Sequence, residues 1–408
     1  MHPDFNAITS AQFRGDPHPI LAYMRERHPV AHLSPGLIES WHVFRHKDVR
    51  AVLLDTETFS SDRALVGGGA LADSNLAFLF NNMISATGDK HRRLRMIGNR
   101  VFMPKFIESF RGQVQALVNE RMDMALTGEP FDLVEDFAAE ITVGMVCAVL
   151  GLPRSDTAQI REWSAVLGDN SGAATWLSAP DPVREATGRE TGTALIAYFR
   201  DYMAQRRASP REGDLISAFM SVEVDGAKLS DDEVTSMAML LLLAGNESTT
   251  NLITNMIRLL ATREDVVATL RTDPDLAAPM VEEVLRLTSS IRNVDRVALR
   301  DVEMHGVFIP MGGLVVPWLT SANRDPEAFP NPDSFIPNRH PNRHFGFGQG
   351  PHLCLGAPLA RMEAQLVAQA ILTRTEKIEL IGDMIRGKNA NFDSIARQMA
   401  RFKKRYRF

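Results

Sequence analysis

The chain has 408 residues, 45% of them apolar and 23% charged, with a formal net charge of −5. This globular balance offers no polybasic surface for nucleic acid and no apolar run of membrane length, so neither a nucleic-acid partner nor a membrane anchor is expected. The two cysteines, Cys147 and Cys354, are too few and too far apart for a disulfide framework, which points to a reducing cytoplasm.

In chain order, apolar spacing and flanking breakers predict helices over 18–26, 47–55, 91–102, 106–125, 134–152, 184–206 and 215–222. Strand-like alternation is confined to 29–44 and 297–319, and prolines and asparagines make 321–343 an ordered but irregular meander. The expected fold is therefore mainly α with a small β region. It is read as one domain over 1–408, with β-rich parts near 29–46 and 294–320 packed on an α-rich portion.

The longest helix starts at a capping box, Ser230-Asp231-Asp232-Glu233, and runs apolar from Val234 to Leu243 and again through Ile253, Ile257 and Leu260. A helix so apolar lies buried through the middle of the fold. Its centre nevertheless reads Ala244-Gly245-Asn246-Glu247-Ser248-Thr249-Thr250. Those hydroxyls either bond back to carbonyls one turn earlier or serve a site, because burying them idle is costly. In the second reading Ala244 and Gly245 leave room above a flat cofactor, while Glu247 and a hydroxyl relay protons.

Further on, Glu283 and Arg286 form an i,i+3 pair on one helix face. The run from Phe345 to Gly356 places three glycines and a proline ahead of Cys354, with a helical segment directly after it. A cysteine held between such a loop and a helix N-terminus has backbone N–H groups near its sulfur, which favours the thiolate. One lone thiolate suits an axial haem ligand better than zinc; the plainer alternative is a buried structural cysteine.

This run resembles the haem-binding signature of the cytochrome P450 family, F-G-x-G-x-x-x-C-x-G, at Phe347, Gly348, Gly350, Cys354 and Gly356. The centre of the long helix is similar to the family's oxygen-binding groove, A-G-x-[DE]-T-T, with Glu247 as the acid and Thr249 following. Ser248 stands where threonine is usual, keeping the hydroxyl but losing the methyl that restricts its rotamer. Glu283 and Arg286 match the family's E-x-x-R pair, and since no arginine precedes Phe335, Arg339 is its third member. His91, Arg95, Arg296 and His352 match the cations that hold haem propionates, while Arg92 and Arg93 turn to solvent.

The resemblance implies haem b with Cys354 as axial thiolate, which favours O–O cleavage. It implies a soluble monooxygenase using O2 and electrons from a ferredoxin and its NAD(P)H-dependent reductase. A haem-thiolate isomerase or dehydratase, a peroxide-driven peroxygenase and a non-catalytic haem sensor are the alternatives. A lid is expected over 63–85, with Phe78, Phe80 and Ile84 facing substrate. Trp176, Leu240, Leu243, Ile291, Val294 and Ile395 complete the walls, and Arg292 either joins them or turns to solvent. So apolar a lining suits a medium-sized hydrophobic substrate such as a terpenoid or steroid.

Overall fold

The computed structural model describes residues 13, 15–33, 38–68, 82–170, 181–387 and 391–406. The helices used below are α1 (His18–Arg27), α2 (His46–Leu54), α3 (Gly88–Val101), α4 (Pro104–Ser109), α5 (Arg111–Ala125), α6 (Ala139–Leu150) and α7 (Thr157–Asp169). After them come α8 (Pro182–Ala208), α9 (Leu215–Ser221), α10 (Asp231–Thr262), α11 (Glu264–Thr272), α12 (Ala277–Leu287), α13 (Leu319–Ala322) and α14 (Ala357–Arg374).

The long helix is α10, and its capping box forms as the sequence predicts, with Ser230 and Glu233 each bonded to the other's backbone. It packs against α6, α7, α8 and α14, and the main hydrophobic core gathers around it. Arg93 does not turn to solvent: it bonds the Glu233 carboxylate and so ties α3 to the start of α10. Arg92 is exposed, as expected, and meets only Asp89 of its own helix.

The predicted helix over 106–125 is two. The Ser109 hydroxyl donates to the Phe106 carbonyl, the Phe110 amide to Ile107, and the chain turns there with the Phe110 ring buried. The stretch 134–152 also divides, into a π-helical turn over Leu133–Ala138 and α6, which Gly151 ends at φ 79°. Helices α7 and α11 were not anticipated. The meander expected over 321–343 is irregular from 323 on, its first two residues belonging to α13, a short helix the sequence does not announce.

A five-stranded sheet has the order β1-β2-β8-β5-β3: Val30–Leu33, Ser40–Val43, Leu314–Pro317, Arg296–Ala298 and Phe59–Ser60. Strands β2 and β8 run parallel, with Trp41 opposite Val315; β5 is antiparallel to β8, which sets Arg296 opposite the same valine. Strands β6 (Val302–Met304) and β7 (Val307–Ile309) form a hairpin. The confinement of strands to two regions is overturned by a third sheet, in which β10 (Ile395–Lys404) lies between β4 (Phe131–Asp132) and β9 (Thr375–Arg386). Charged residues are scattered through β9 and β10 without a regular alternation, which dilutes the hydrophobic signal. No helix among the described residues is long and apolar enough to cross a membrane.

Candidate functional site

The Cys354 loop is built by its glycines. Gly348 and Gly350 sit at φ +68° and +75°, a region that suits glycine. A Cβ on Gly350 would also meet Leu54 at 2.9 Å and the Leu53 carbonyl at 3.0 Å, so α2 presses directly on the loop. The Gly348 amide donates to the Phe345 carbonyl at 2.8 Å, and the Cys354 amide donates to Phe347 at 2.9 Å, closing the turn. Arg361 stacks over the Phe347 ring and forks onto Glu282 at 2.7 and 2.8 Å, with His344 on the same carboxylate at 3.1 Å. Burial alone would raise the Glu282 carboxyl; the bonds from Arg361 and His344 outweigh it and lower it to about 2.

Cys354 counts as exposed by surface area, yet surrounding protein is the largest influence on its thiol. The two observations agree if the sulfur faces an interior hollow rather than bulk water. Burial pushes the thiol up, while the Gly356 and Ala357 amides, Arg95 and Arg361 pull it down without prevailing. A coordinated metal ion overrides that penalty, because it deprotonates a thiol outright. Cys147, by contrast, is the buried core residue anticipated, its thiol raised to about 11 chiefly by burial.

The three-residue ion cluster also forms. Arg286 forks onto Glu283, both residues being fully buried, and Arg339 brings its Nε to the same two oxygens at 3.0 and 3.1 Å. Burial would raise the Glu283 carboxyl; bonds from Arg286, the Ile336 amide and Arg339 lower it instead. Arg286 also donates to the carbonyls of Asn323 at 2.9 Å, Pro332 at 2.7 Å and Ser334 at 3.1 Å. The Asn323 side chain accepts from the Phe345 amide at 2.7 Å and donates to Ser289 at 2.6 Å. Asn323 therefore relays the position of the cluster to the first residue of the Cys354 loop, a role that a single asparagine in a meander does not advertise.

The four expected cations converge. The rings of His91 and His352 lie 4.0 Å apart, Arg95 donates to the Leu353 carbonyl at 2.5 Å, and Ser61 meets His352 at 3.1 Å. Burial, then the charges of Arg296, His91 and Arg95, lower the His352 imidazole to about 2; burial, then Arg95 and Arg296, lower His91 as well. Buried Arg296 is brought down to about 10 by desolvation despite neighbouring Asp295, which Arg63 also engages at 2.7 Å. His91 Nε2 is buried without a hydrogen-bond partner among the described residues. Two arginine cations, Arg95 and Arg296, beside an orphaned ring nitrogen fit a group carrying carboxylates, as haem does.

On α10, Ala244 is exposed between half-buried Leu243 and Gly245. A Cβ on Gly245 would crowd only a Val146 methyl at 3.1 Å. Glu247 and Ser248 are half-buried and Thr249 is buried. The Ser248 hydroxyl does bond back to the Ala244 carbonyl, at 2.7 Å, and the Ser248 carbonyl takes a bond of the same length from Ser290, which the sequence reading passed over. Thr250 pairs with Thr142 of α6.

The expected substrate walls are less uniform. Phe78, Phe80 and Trp176 lie outside the described residues. Ile84 is 53% exposed, Ile395 is buried, and Leu240 and Leu243 are half-buried against the main core. Ile291 and Val294 pack against the core of the five-stranded sheet. Arg292 does not turn to solvent: it is 2% exposed and bonded to Asp393 at 2.8 Å.

Comparison with known proteins agrees with this geometry. The family model described as Cytochrome P450 matches residues 3–379. An erythromycin C-12 hydroxylase of Saccharopolyspora erythraea is 36% identical, covering 89% of this chain and 88% of its own. A cyclomarin C epoxidase of Salinispora arenicola is 33% identical over 90% of each chain. The crystal structure of P450BioI in complex with hexadec-9Z-enoic acid ligated acyl carrier protein superposes with a TM-score of 0.88 at 29% identity, covering 96% of this chain and all of that one.

Proposed function

The chain belongs to the cytochrome P450 family and is a haem b monooxygenase with a cysteine axial ligand; on that premise we propose its substrate class, its electron source and the residues that do the work. It inserts one oxygen atom of O2 into a C–H or C=C bond of a medium-sized hydrophobic molecule. Electrons come from a separate ferredoxin and NAD(P)H-dependent reductase.

The observation that carries the residue assignment is that Cys354, whose thiol is pushed up by burial, and Ala244, midway along the central helix, both keep exposed surface. Cys354 would hold the iron, and His91, Arg95, Arg296 and His352 would hold the two propionates. When bound, the haem supplies the oxygen-activating chemistry, with electron density pushed from the thiolate. Ala244 and Gly245 keep the α10 face low where oxygen must sit. Glu247, whose carboxylate lies against Gly168 of α7, holds a proton, and the Ser248 hydroxyl passes it on. Thr249, buried beside them, is the second hydroxyl of the relay. Glu283, Arg286 and Arg339 hold the meander, and through Asn323 the loop, in register with α12. The Glu247–Ser248 pair favours oxygenation over isomerisation or dehydration, which have no use for proton delivery to dioxygen. The relatives named as a hydroxylase and an epoxidase support insertion at both bond types.

The test is reconstitution with a surrogate ferredoxin and reductase, after a spectral screen for compounds that change the haem spin state. Expected are substrate-dependent NAD(P)H consumption and product carrying one 18O from 18O2. Normal haem with no reductant consumption for any spectrally active compound would overturn the reading. Turnover with peroxide alone would recast the protein as a peroxygenase.

A further inference from the structure

The last two turns of α10, the end of α12 and the meander at 333–335 enclose a surface pocket of about 500 Å³. No residue assigned to haem or to oxygen chemistry lines it. Leu259, Leu287 and the Phe335 ring supply its apolar surface, with the Arg263 guanidinium 6.0 Å from the ring centre. Most of its polar groups are committed elsewhere. The Thr262 and Thr288 hydroxyls donate back to carbonyls of the preceding turn. Arg263 forks onto Asp265 at 2.8 and 2.7 Å, and Asp333 pairs with Arg324 at 2.8 Å.

Two donors remain. Asn255 is 8% exposed, and its Nδ2 is buried without a hydrogen-bond partner among the described residues. Arg258, three residues on and so on the same face of α10, makes no side-chain hydrogen bond or ion pair among the described residues, and its Nε is buried. The carboxylate that acts on Arg258, Asp393, is already shared by Arg292 at 2.8 Å and Arg386 at 2.7 Å. Three arginines around one aspartate leave positive charge uncompensated, and of the three it is Arg258 that lines the pocket. A half-buried cation beside a bare amide donor is costly until an acceptor fills the gap.

We propose that this pocket binds a small organic acid, its carboxylate held by Arg258 and the Asn255 amide and its apolar body resting on Leu259, Leu287 and Phe335. A planar carboxylate matches the guanidinium fork. A bare phosphate would turn its remaining oxygens onto leucine and phenylalanine surface, where they go unpaired. The far wall is the meander that steadies the Cys354 loop: the Ser334 carbonyl, beside Phe335, accepts from Arg286 at 3.1 Å and Arg339 at 3.0 Å. An acid seated there favours the folded meander, so its binding raises the stability of the whole protein.

The test uses the holoenzyme, with benzoate as probe, benzamide as its neutral isostere and inorganic phosphate as the bare anion. Calorimetry should find one benzoate bound per chain, a raised melting temperature and an unchanged haem spectrum, with benzamide and phosphate at least about tenfold weaker. Arg258→Gln and Asn255→Asp should each weaken benzoate by about 10- to 100-fold at unchanged haem content, and Arg258→Lys should keep part of the affinity. In a crystal of the complex the carboxylate should touch both residues. No saturable binding of benzoate, or binding at wild-type strength in Arg258→Gln, overturns the proposal. Binding that shifts the haem spectrum places the acid at the iron and overturns it too, and phosphate as tight as benzoate overturns the organic-acid assignment. Should the variants fail to fold, the crystal decides alone: a carboxylate touching neither residue refutes the site.

Discussion

Arg286 places Nε and Nη2 each 2.8 Å from a different carboxylate oxygen of Glu283, and neither side chain has any exposed surface. A pair so enclosed derives its value from the bonds it makes outward, to the meander carbonyls and through Asn323 to the Cys354 loop. Removing one partner leaves a buried charge and frees the loop. We expect Arg286→Ala to cost about 3–5 kcal/mol of stability and to yield protein largely without haem. Arg286→Lys, lacking the fork, should recover little. Denaturant melts and haem content of purified variants measure both; a stable, fully loaded Arg286→Ala protein would contradict the role.

Cys354→Ser should lose the red-shifted absorption of the ferrous carbon-monoxide complex and all oxygenation, because a neutral alcohol cannot supply the thiolate charge. Cys147→Ser should change neither. A mutant at 354 that kept the band would force reassignment of the ligand.

The cations that converge on one another should be separable from their neighbour on the same helix. Arg95→Ala and Arg296→Ala should each weaken haem retention by about 1.5–3 kcal/mol, the range for a charge-assisted bond. Arg92→Ala, changing an exposed side chain, should leave retention alone. Haem transfer to an apoprotein acceptor gives the rates, and equal loss in all three would contradict the assignment of faces on α3.

Ser248→Ala should keep haem and substrate binding but slow the protonation step by roughly 10²–10⁴-fold, seen as peroxide in place of product. Ser248→Thr should match or better the wild type. Unchanged coupling in both Ser248→Ala and Glu247→Gln would remove the pair from the mechanism.

Glu363, on α14, is 3% exposed, and burial raises its carboxyl well above the ordinary 4.5. Above pH 4.5 the unfolded chain releases this proton while the folded chain keeps it, so this residue's contribution to stability falls as pH rises toward the folded value. Glu363→Gln should therefore raise the melting temperature at pH 8 and hardly at all at pH 4. A gain that did not change with pH would contradict this account.

What the sequence disclosed and what it hid divide along the range of the interactions. The Cys354 loop was legible because its constraints are local: glycines at positive φ and a helix start within twelve residues. Capping by Ser230 and Glu233 is local too. The i,i+3 spacing revealed that Glu283 and Arg286 meet, but not that they are sealed from water, since that depends on a meander some fifty residues away. Arg93 and Arg292 looked like solvated cations because their partners, Glu233 and Asp393, are distant in the chain. Asn323, Ser290 and Asn251 carried no signal, each being one polar residue whose meaning comes from a neighbour folded against it. The strands β9 and β10 were hidden by the charged residues scattered through them.

The position of β10 bears on the order in which the molecule can be completed during synthesis. Made after every other described strand, it pairs Met399 with Asp132 and Phe402 with Ile378, and its Ile395 amide reaches Asn251 in the central helix. A nascent chain stopped at Arg386 would already contain Cys354, the propionate cations and all of α10. It would still have two strands with no partner between them and an asparagine on α10 lacking its backbone donor. Translation must therefore pass through β10, to Lys404, before this side of the central helix closes.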